Sequence, residues 1–179
     1  MGSRDDFRIL TDTGALVVAE EGQRVIVFDR NTGTPATAAF VLGILALVTG
    51  GFGIVALVGG VLPALAAAAF LAVGVIAAGA AGWLVRTIRR RRSLPLPQCR
   101  TVAVLDRKRG LFSSAGGALV GLDQVRFERR MQMTSSSPKL VAITPGGVRV
   151  LKRGNPFDGG IGNVDAVLAD AATASVRQA

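Results

Sequence analysis

From Asn31 to Val85 the chain carries no charged residue, a stretch of 55 residues bounded by Arg30 and Arg86. One membrane-crossing helix needs about 20 apolar residues, so a single crossing leaves too much apolar chain over, and two crossings fit. The sequence divides the stretch itself. Span one is expected over Thr37–Val58 and span two over Ala64–Val85, with Gly59-Gly60-Val61-Leu62-Pro63 between them. Gly-Gly supplies permissive backbone, and Pro63 suits the first turn of a new helix. So short a link makes the two helices antiparallel neighbours. At about 1.5 Å of rise per residue, each span reaches roughly 33 Å, enough for the hydrocarbon core of a bilayer.

The flanks predict an orientation. Arg86, Arg89, Arg90, Arg91 and Arg92 follow span two, Arg24 and Arg30 precede span one, and the link is uncharged. The positive-inside rule then places both termini in the cytoplasm, in what reads as a two-pass protein of the bacterial inner membrane. Residues Met1–Asp12 mix both signs of charge and lack the pattern of a cleaved signal peptide, so span one is expected to act as its own targeting signal. The formal net charge of +9 is uneven. It is −2 up to Arg30 and +11 from Arg86 onward, counted over the same sequence. Anionic lipid is the nearest partner for that basic half. No recognition helix and no strand of stacked aromatics accompanies it, so nucleic acid is not expected.

Within the spans, small residues recur every four positions: Gly74, Ala78 and Gly82 on span two, Ala46 and Gly50 on span one, and Thr49 and Gly53 beside them. Lipid gives helices no hydrophobic drive to pair, so close approach depends on such surfaces. Ala46, Gly50, Gly53, Gly74, Ala78 and Gly82 are therefore the candidate helix-packing residues. They either hold the hairpin to itself or, through a second small face on span one, also take another membrane protein, in a homo-oligomer or a larger complex. Neither span holds an ionisable residue, which argues against transport.

Outside the spans the pattern has a period of two. Strands are expected at Phe7–Leu10, Ala15–Ala19 and Val25–Phe28, separated by Gly-bearing turns. After the spacer with Pro95 and Pro97, Val102–Leu105 reads as a strand and Leu111-Phe112 as the start of its return. Val125, Phe127, Arg129, Met131 and Met133 share one face of a long strand. Leu140–Thr144 and Val148–Leu151 flank the turn Pro145-Gly146-Gly147. Val164, Val167, Leu168 and Ala171 fall at helical spacing, with Asn163 as the expected N-cap. Val25-Ile26-Val27-Phe28-Asp29-Arg30 with Gly33 echoes Val102-Ala103-Val104-Leu105-Asp106-Arg107 with Gly110, which shared turn chemistry accounts for.

Three strands without a helix are marginal, so residues 1–34 and 93–179 are expected to build one cytoplasmic domain, interrupted by the hairpin of residues 35–92. Seven antiparallel strands closed by one amphipathic helix resemble the pleckstrin-homology-like barrel. The second half, from Leu105-Asp106-Arg107-Lys108-Arg109-Gly110 through Val125-Arg126-Phe127 to Pro145-Gly146-Gly147-Val148-Arg149-Val150-Leu151, is also similar in layout to the soluble part of the photosystem I assembly factors that sit on a two-helix anchor. The implied fold is a membrane α+β protein, a two-pass hairpin inserted into a small antiparallel β-barrel. The spans lack the aromatics of those families, and the terminal helix lacks a Trp.

Chemistry is thinly supplied. There is no His and no Tyr, and Cys99 is the one Cys. Triads built on His cannot form, an intramolecular disulfide cannot form, and soft metal ligands are missing. The Gly-rich pieces around Gly116-Gly117 and Gly159-Gly160 lack the Lys-Ser/Thr ending of a phosphate loop and read as loop punctuation. Ser135-Ser136-Ser137 reads as a polar loop tip. No catalytic residue, cofactor or metal site is assigned. Arg86, Arg89, Arg90, Arg91 and Arg92 are the candidate lipid-headgroup contacts, either as a stop-transfer anchor or as a binding site for an acidic lipid. The expectation is a non-enzymatic accessory or assembly subunit of a membrane complex. The alternative is an anionic-lipid-binding module.

Overall fold

The computed structural model describes residues 7–115, 117–133 and 135–176. They divide into two compact units, one from Met1–Asn31 with Leu94–Ala179 and the other from Thr32–Ser93.

The second unit is the helical hairpin. Helix α1 spans Gly33–Gly59 and helix α2 spans Ala64–Arg92. Pro35 lies in the first turn of α1, where its missing N–H costs nothing. Gly60 ends that helix in the left-handed conformation, at φ 61°, which a side chain would resist. Both helices are long and apolar enough to cross a membrane. They exceed the expected spans at opposite ends. Helix α1 starts four residues before Thr37, and α2 runs seven beyond Val85, through all five arginines. Arginine is a good helix former, and four of the five lie in the last turn, where cations oppose the negative end of the helix dipole.

The first unit holds nine strands among the described residues. Arg8–Asp12 (β1), Leu16–Glu21 (β2), Arg24–Asp29 (β3), Arg100–Asp106 (β4), Leu111–Ser114 (β5) and Val120–Gly121 (β6) form one antiparallel sheet in chain order. Arg126–Gln132 (β7), Ser135–Thr144 (β8) and Gly147–Arg153 (β9) form a second. Helix α3, Val164–Val176, comes last. The expected seven-stranded closed barrel is thus corrected to two open sheets of six and three strands. A turn at Leu122–Gln124 carries the chain from one sheet to the other instead of closing the first on itself. Helix α3 then buries Val164, Leu168, Ala171 and Ala172 in the shared core.

That core joins both parts of the chain. Leu16, Val18, Val25 and Val27 from before the hairpin pack with Leu105, Phe112, Phe127 and Leu140 from after it. The rings of Phe112 and Phe127 meet edge to face at 5.5 Å. Strand β2 is apolar on both faces for a reason. Val17 and Ala19 point away from the main core into a satellite cluster with Phe28, covered by Phe7, Ile26, Leu96 and Cys99. A strand covered on both sides loses the polar alternation of a half-exposed one.

The echoing segments are next neighbours. β3 and β4 pair antiparallel, with Val25 opposite Leu105 and Val27 opposite Ala103. Their aspartates do the same local work: Asp29 accepts from the Asn31 N–H at 2.8 Å, and Asp106 from the Arg109 N–H at 3.1 Å. Two expectations need correction. Ser135-Ser136-Ser137 is the start of β8 rather than a loop tip, and Ser137 is buried. The long face of β7 is inner only as far as Phe127, whereas Met131 and Met133 are exposed because the β7–β8 hairpin runs past the core.

Candidate functional site

Three places carry the candidate residues. The first is the contact between α1 and α2. A Cβ added to Gly74 would lie 2.5 Å from the Gly50 Cα and 3.3 Å from the Ala46 carbonyl oxygen. One added to Gly53 would lie 2.7 Å from the Leu71 nitrogen and 3.1 Å from the Ala67 carbonyl oxygen. Backbone therefore meets backbone at these glycines, and no side chain fits between. Ala56, Ala67 and Ala77 are buried beside them, and Phe52 and Phe70 stack edge to face at 5.1 Å.

The expected stripe on α2 is only partly in this contact. Gly74 is central, but Ala78 is exposed, and a Cβ on Gly82 would meet nothing within 4 Å. A spacing of four advances about 40° around a helix at each step, so a strict i+4 row winds off the contact. The buried set is Ala67, Gly74 and Ala77, and Ala77 lies about 60° from Gly74 in the opposite rotational sense, so the contact is on that side and the row leaves it. On α1, Ala46, Gly50 and Gly53 all border α2. Gly43, Gly51, Gly79 and Gly82 border open space.

The second place is the basic end of α2. Arg86, Arg89, Arg90 and Arg92 are exposed and Arg91 is half-buried, so the charges surround the helix rather than lining one side. Trp83, one turn before Arg86, is exposed. An amphipathic ring next to a cationic turn is the pairing found where helices leave a bilayer. A lone Trp among apolar residues gave no such signal in the sequence until the helix was known to continue through the arginines.

The third place lies between the two sheets of the strand unit. Several arginines of this unit are paired. Arg24 meets Asp106 at 3.4 Å, Arg30 meets Asp12 at 2.9 Å, Arg129 meets Asp165 of α3 at 2.9 Å, and Arg107 meets Glu20. Lys152 of β9 reaches across to Asp29 of β3 at 2.5 Å, with both side chains largely buried. Beside that pair, Arg100 of β4 and Arg149 of β9 line a cleft of about 200 Å3 with Ser114, Val150 and Leu151. Neither arginine has a hydrogen-bond or ion-pair partner among the described residues. Sequence reasoning did not single them out. Each looks like an ordinary exposed residue of a strand, and only the approach of β9 to β4 brings them to one cleft.

Cys99 packs in the satellite cluster, with its thiol 3.8 Å from the Pro95 carbonyl oxygen. Among the described residues, no group of three or more His, Cys, Asp or Glu is placed to hold a metal ion. No family model matches the chain, and comparison with curated proteins and with solved structures finds no significant match.

Proposed function

We propose that the chain is a non-enzymatic, two-pass protein of the bacterial inner membrane, an accessory or assembly subunit that binds other membrane proteins. The carrying observation is the outward face of the hairpin. Leu47, Val55, Val58, Leu65, Val75 and Ile76 are all more than half exposed, within a stretch that carries no charge from Asn31 to Val85. Water does not tolerate so large a continuous apolar surface, whereas lipid does. The basic collar on α2 and the uncharged link fit the same reading, and by the positive-inside rule they would put both termini in the cytoplasm. Gly43 and Gly51 on α1, with Gly79 and Gly82 on α2, supply small surfaces outside the hairpin contact, where a second helix can approach closely. The strand unit, two antiparallel sheets with a terminal helix, is the cytoplasmic platform. A pleckstrin-homology-like ancestry and a role like that of the two-helix photosystem assembly factors remain proposals about that platform.

The test has two steps. Carbonate extraction of membranes from cells expressing the full chain should leave it in the pellet; release into the supernatant overturns insertion. Photo-crosslinking from positions 79 and 82 in intact membranes should then give discrete adducts with one protein species, this chain or another. Adducts with lipid alone would overturn the subunit reading in favour of the second one, anionic-lipid binding. That reading is favoured by one specific feature, the helical Arg86–Arg92 collar with Trp83 beside it. Each arginine near an anionic leaflet is worth about 1 kcal/mol.

A further inference from the structure

We infer that the cleft between β4 and β9 binds a phosphate group. Asp29, the one acid lining the cleft, is occupied by Lys152 and by the Asn31 N–H. Arg100 and Arg149 are left as two cations with no counter-charge, sharing a cleft of about 200 Å3. Both side chains are exposed, and an anion held between them turns their mutual repulsion into attraction. The size also selects. Pockets for drug-sized ligands run from about 300 to 1,000 Å3, so this one takes a single group rather than a whole molecule.

Donor number narrows the anion. A carboxylate has two oxygens, which one guanidinium fork satisfies. The Arg100 and Arg149 guanidiniums and the Ser114 hydroxyl, from β4, β9 and the end of β5, offer more donors than that, and a tetrahedral phosphate has the oxygens to receive them. Two other hollows of the unit are each lined by two acids. One, about 540 Å3 at the β2–β3 and β4–β5 turns, is lined by Glu21 and Asp106 as well as by Arg24, Lys108 and Arg109. The one beside α3, about 470 Å3, is lined by both signs and by apolar side chains.

Two sources of phosphate share this chemistry. In sequence, Asp29 lies three residues ahead of the hairpin and Arg100 seven residues after it, so a membrane that holds the hairpin offers lipid headgroups. That source rests on the insertion proposed above; free phosphate or a soluble phosphomonoester does not. The experiment uses the full chain in an uncharged maltoside detergent, titrated by calorimetry with inorganic phosphate and, separately, with a short-chain phosphatidic acid. Saturable binding of either probe is expected, weakened on the order of tenfold or more in R100Q/R149Q. It should be nearly unchanged in R109Q/R126Q, which removes two exposed cations that do not line this cleft. Binding of inorganic phosphate assigns a soluble source, and binding of the lipid probe alone assigns the headgroup. The inference is overturned if neither probe binds, or if R100Q/R149Q binds as the unaltered chain does. Thermal unfolding checks the fold of the double variant. Should it fail to fold, R149Q alone carries the test, because Arg149 sits exposed on an edge strand. Carbonate extraction is independent of both titrations, so a failure of insertion is told apart from a failure of the cleft.

Discussion

Gly74 sits where two backbones nearly touch, and the lack of a side chain there is what the α1–α2 contact needs. Gly74→Leu would drive a branched side chain into the Gly50 backbone, and overpacking of this kind costs about 1–3 kcal/mol where neighbours cannot yield. With Cys99 replaced by Ser, cysteines introduced at Ala56 and Ala67 should form a disulfide in membranes, and Gly74→Leu should sharply reduce its yield. An unchanged yield would mean that the close contact is not what joins the helices. The ion pair between Lys152 and Asp29 makes a second case. With side chains only 10% and 15% exposed, it is no ordinary surface pair. Lys152→Ala would strand a carboxylate with poor access to water, so denaturant titration should show a loss of about 3 kcal/mol. Replacing both partners, as Asp29→Asn with Lys152→Met, should recover part of that loss. If the double variant were the less stable, the pair would be a net attraction stronger than this reasoning allows.

At the level of elements, the two glycine-bearing faces of α2 separate two roles that the sequence runs together. Gly74 faces α1, whereas Gly82 faces open space. Gly82→Leu should therefore leave the 56–67 disulfide intact while abolishing crosslinks to a partner from position 79. Loss of both signals, or of neither, would break the proposed division. The reason the sequence could not make this distinction is geometric: an i+4 row looks continuous when written out but winds around the helix. Strands were more legible. β1 to β5, β9 and the Leu140–Thr144 part of β8 lie near where strand-forming residues and Gly-bearing turns place them. The exceptions have physical causes. β6 has two residues, too few for any pattern, and β7 outruns its core, so Met131 and Met133 continue an apolar alternation without burial behind it. The cleft was illegible for another reason. Arg100 and Arg149 are 49 positions apart, on strands of different sheets, and nothing local marks their meeting.

Over the whole molecule, the decisive fact is that the hairpin stands between two strands that are neighbours anyway. β3 and β4 pair antiparallel up to Asp29 opposite Arg100, a position where an ordinary protein would place a short turn. An insertion there leaves the ladder intact only if its own ends return close together, which two packed antiparallel helices ensure. The same topology puts the segment before α1 and the segment after α2 on one side of any membrane the hairpin crosses. Alkaline phosphatase fused before Phe7 or after Ala179 should then be inactive in both positions, and activity in either would overturn the orientation. It also makes the hairpin dispensable for folding. Replacing Thr32–Ser93 by a flexible Gly-Ser linker of about eight residues, with a reach of roughly 25 Å, should restore a simple β3–β4 connection. Leu96 and Cys99 must stay, because they cover Val17, Ala19 and Phe28 on the outer face of β2 and β3. The shortened chain should be water-soluble without detergent and should unfold in one cooperative transition, since the core from Leu16 to Ala172 includes no residue of the hairpin. The converse deletion, of residues 1–31, removes Leu16, Val18, Val25 and Val27 from that core and leaves the β3 side of β4 unpaired, so the remainder should be rapidly degraded by protease. A soluble, protease-resistant product from this second deletion, or an aggregated one from the first, would show that the strands on either side of the hairpin do not share one folding unit.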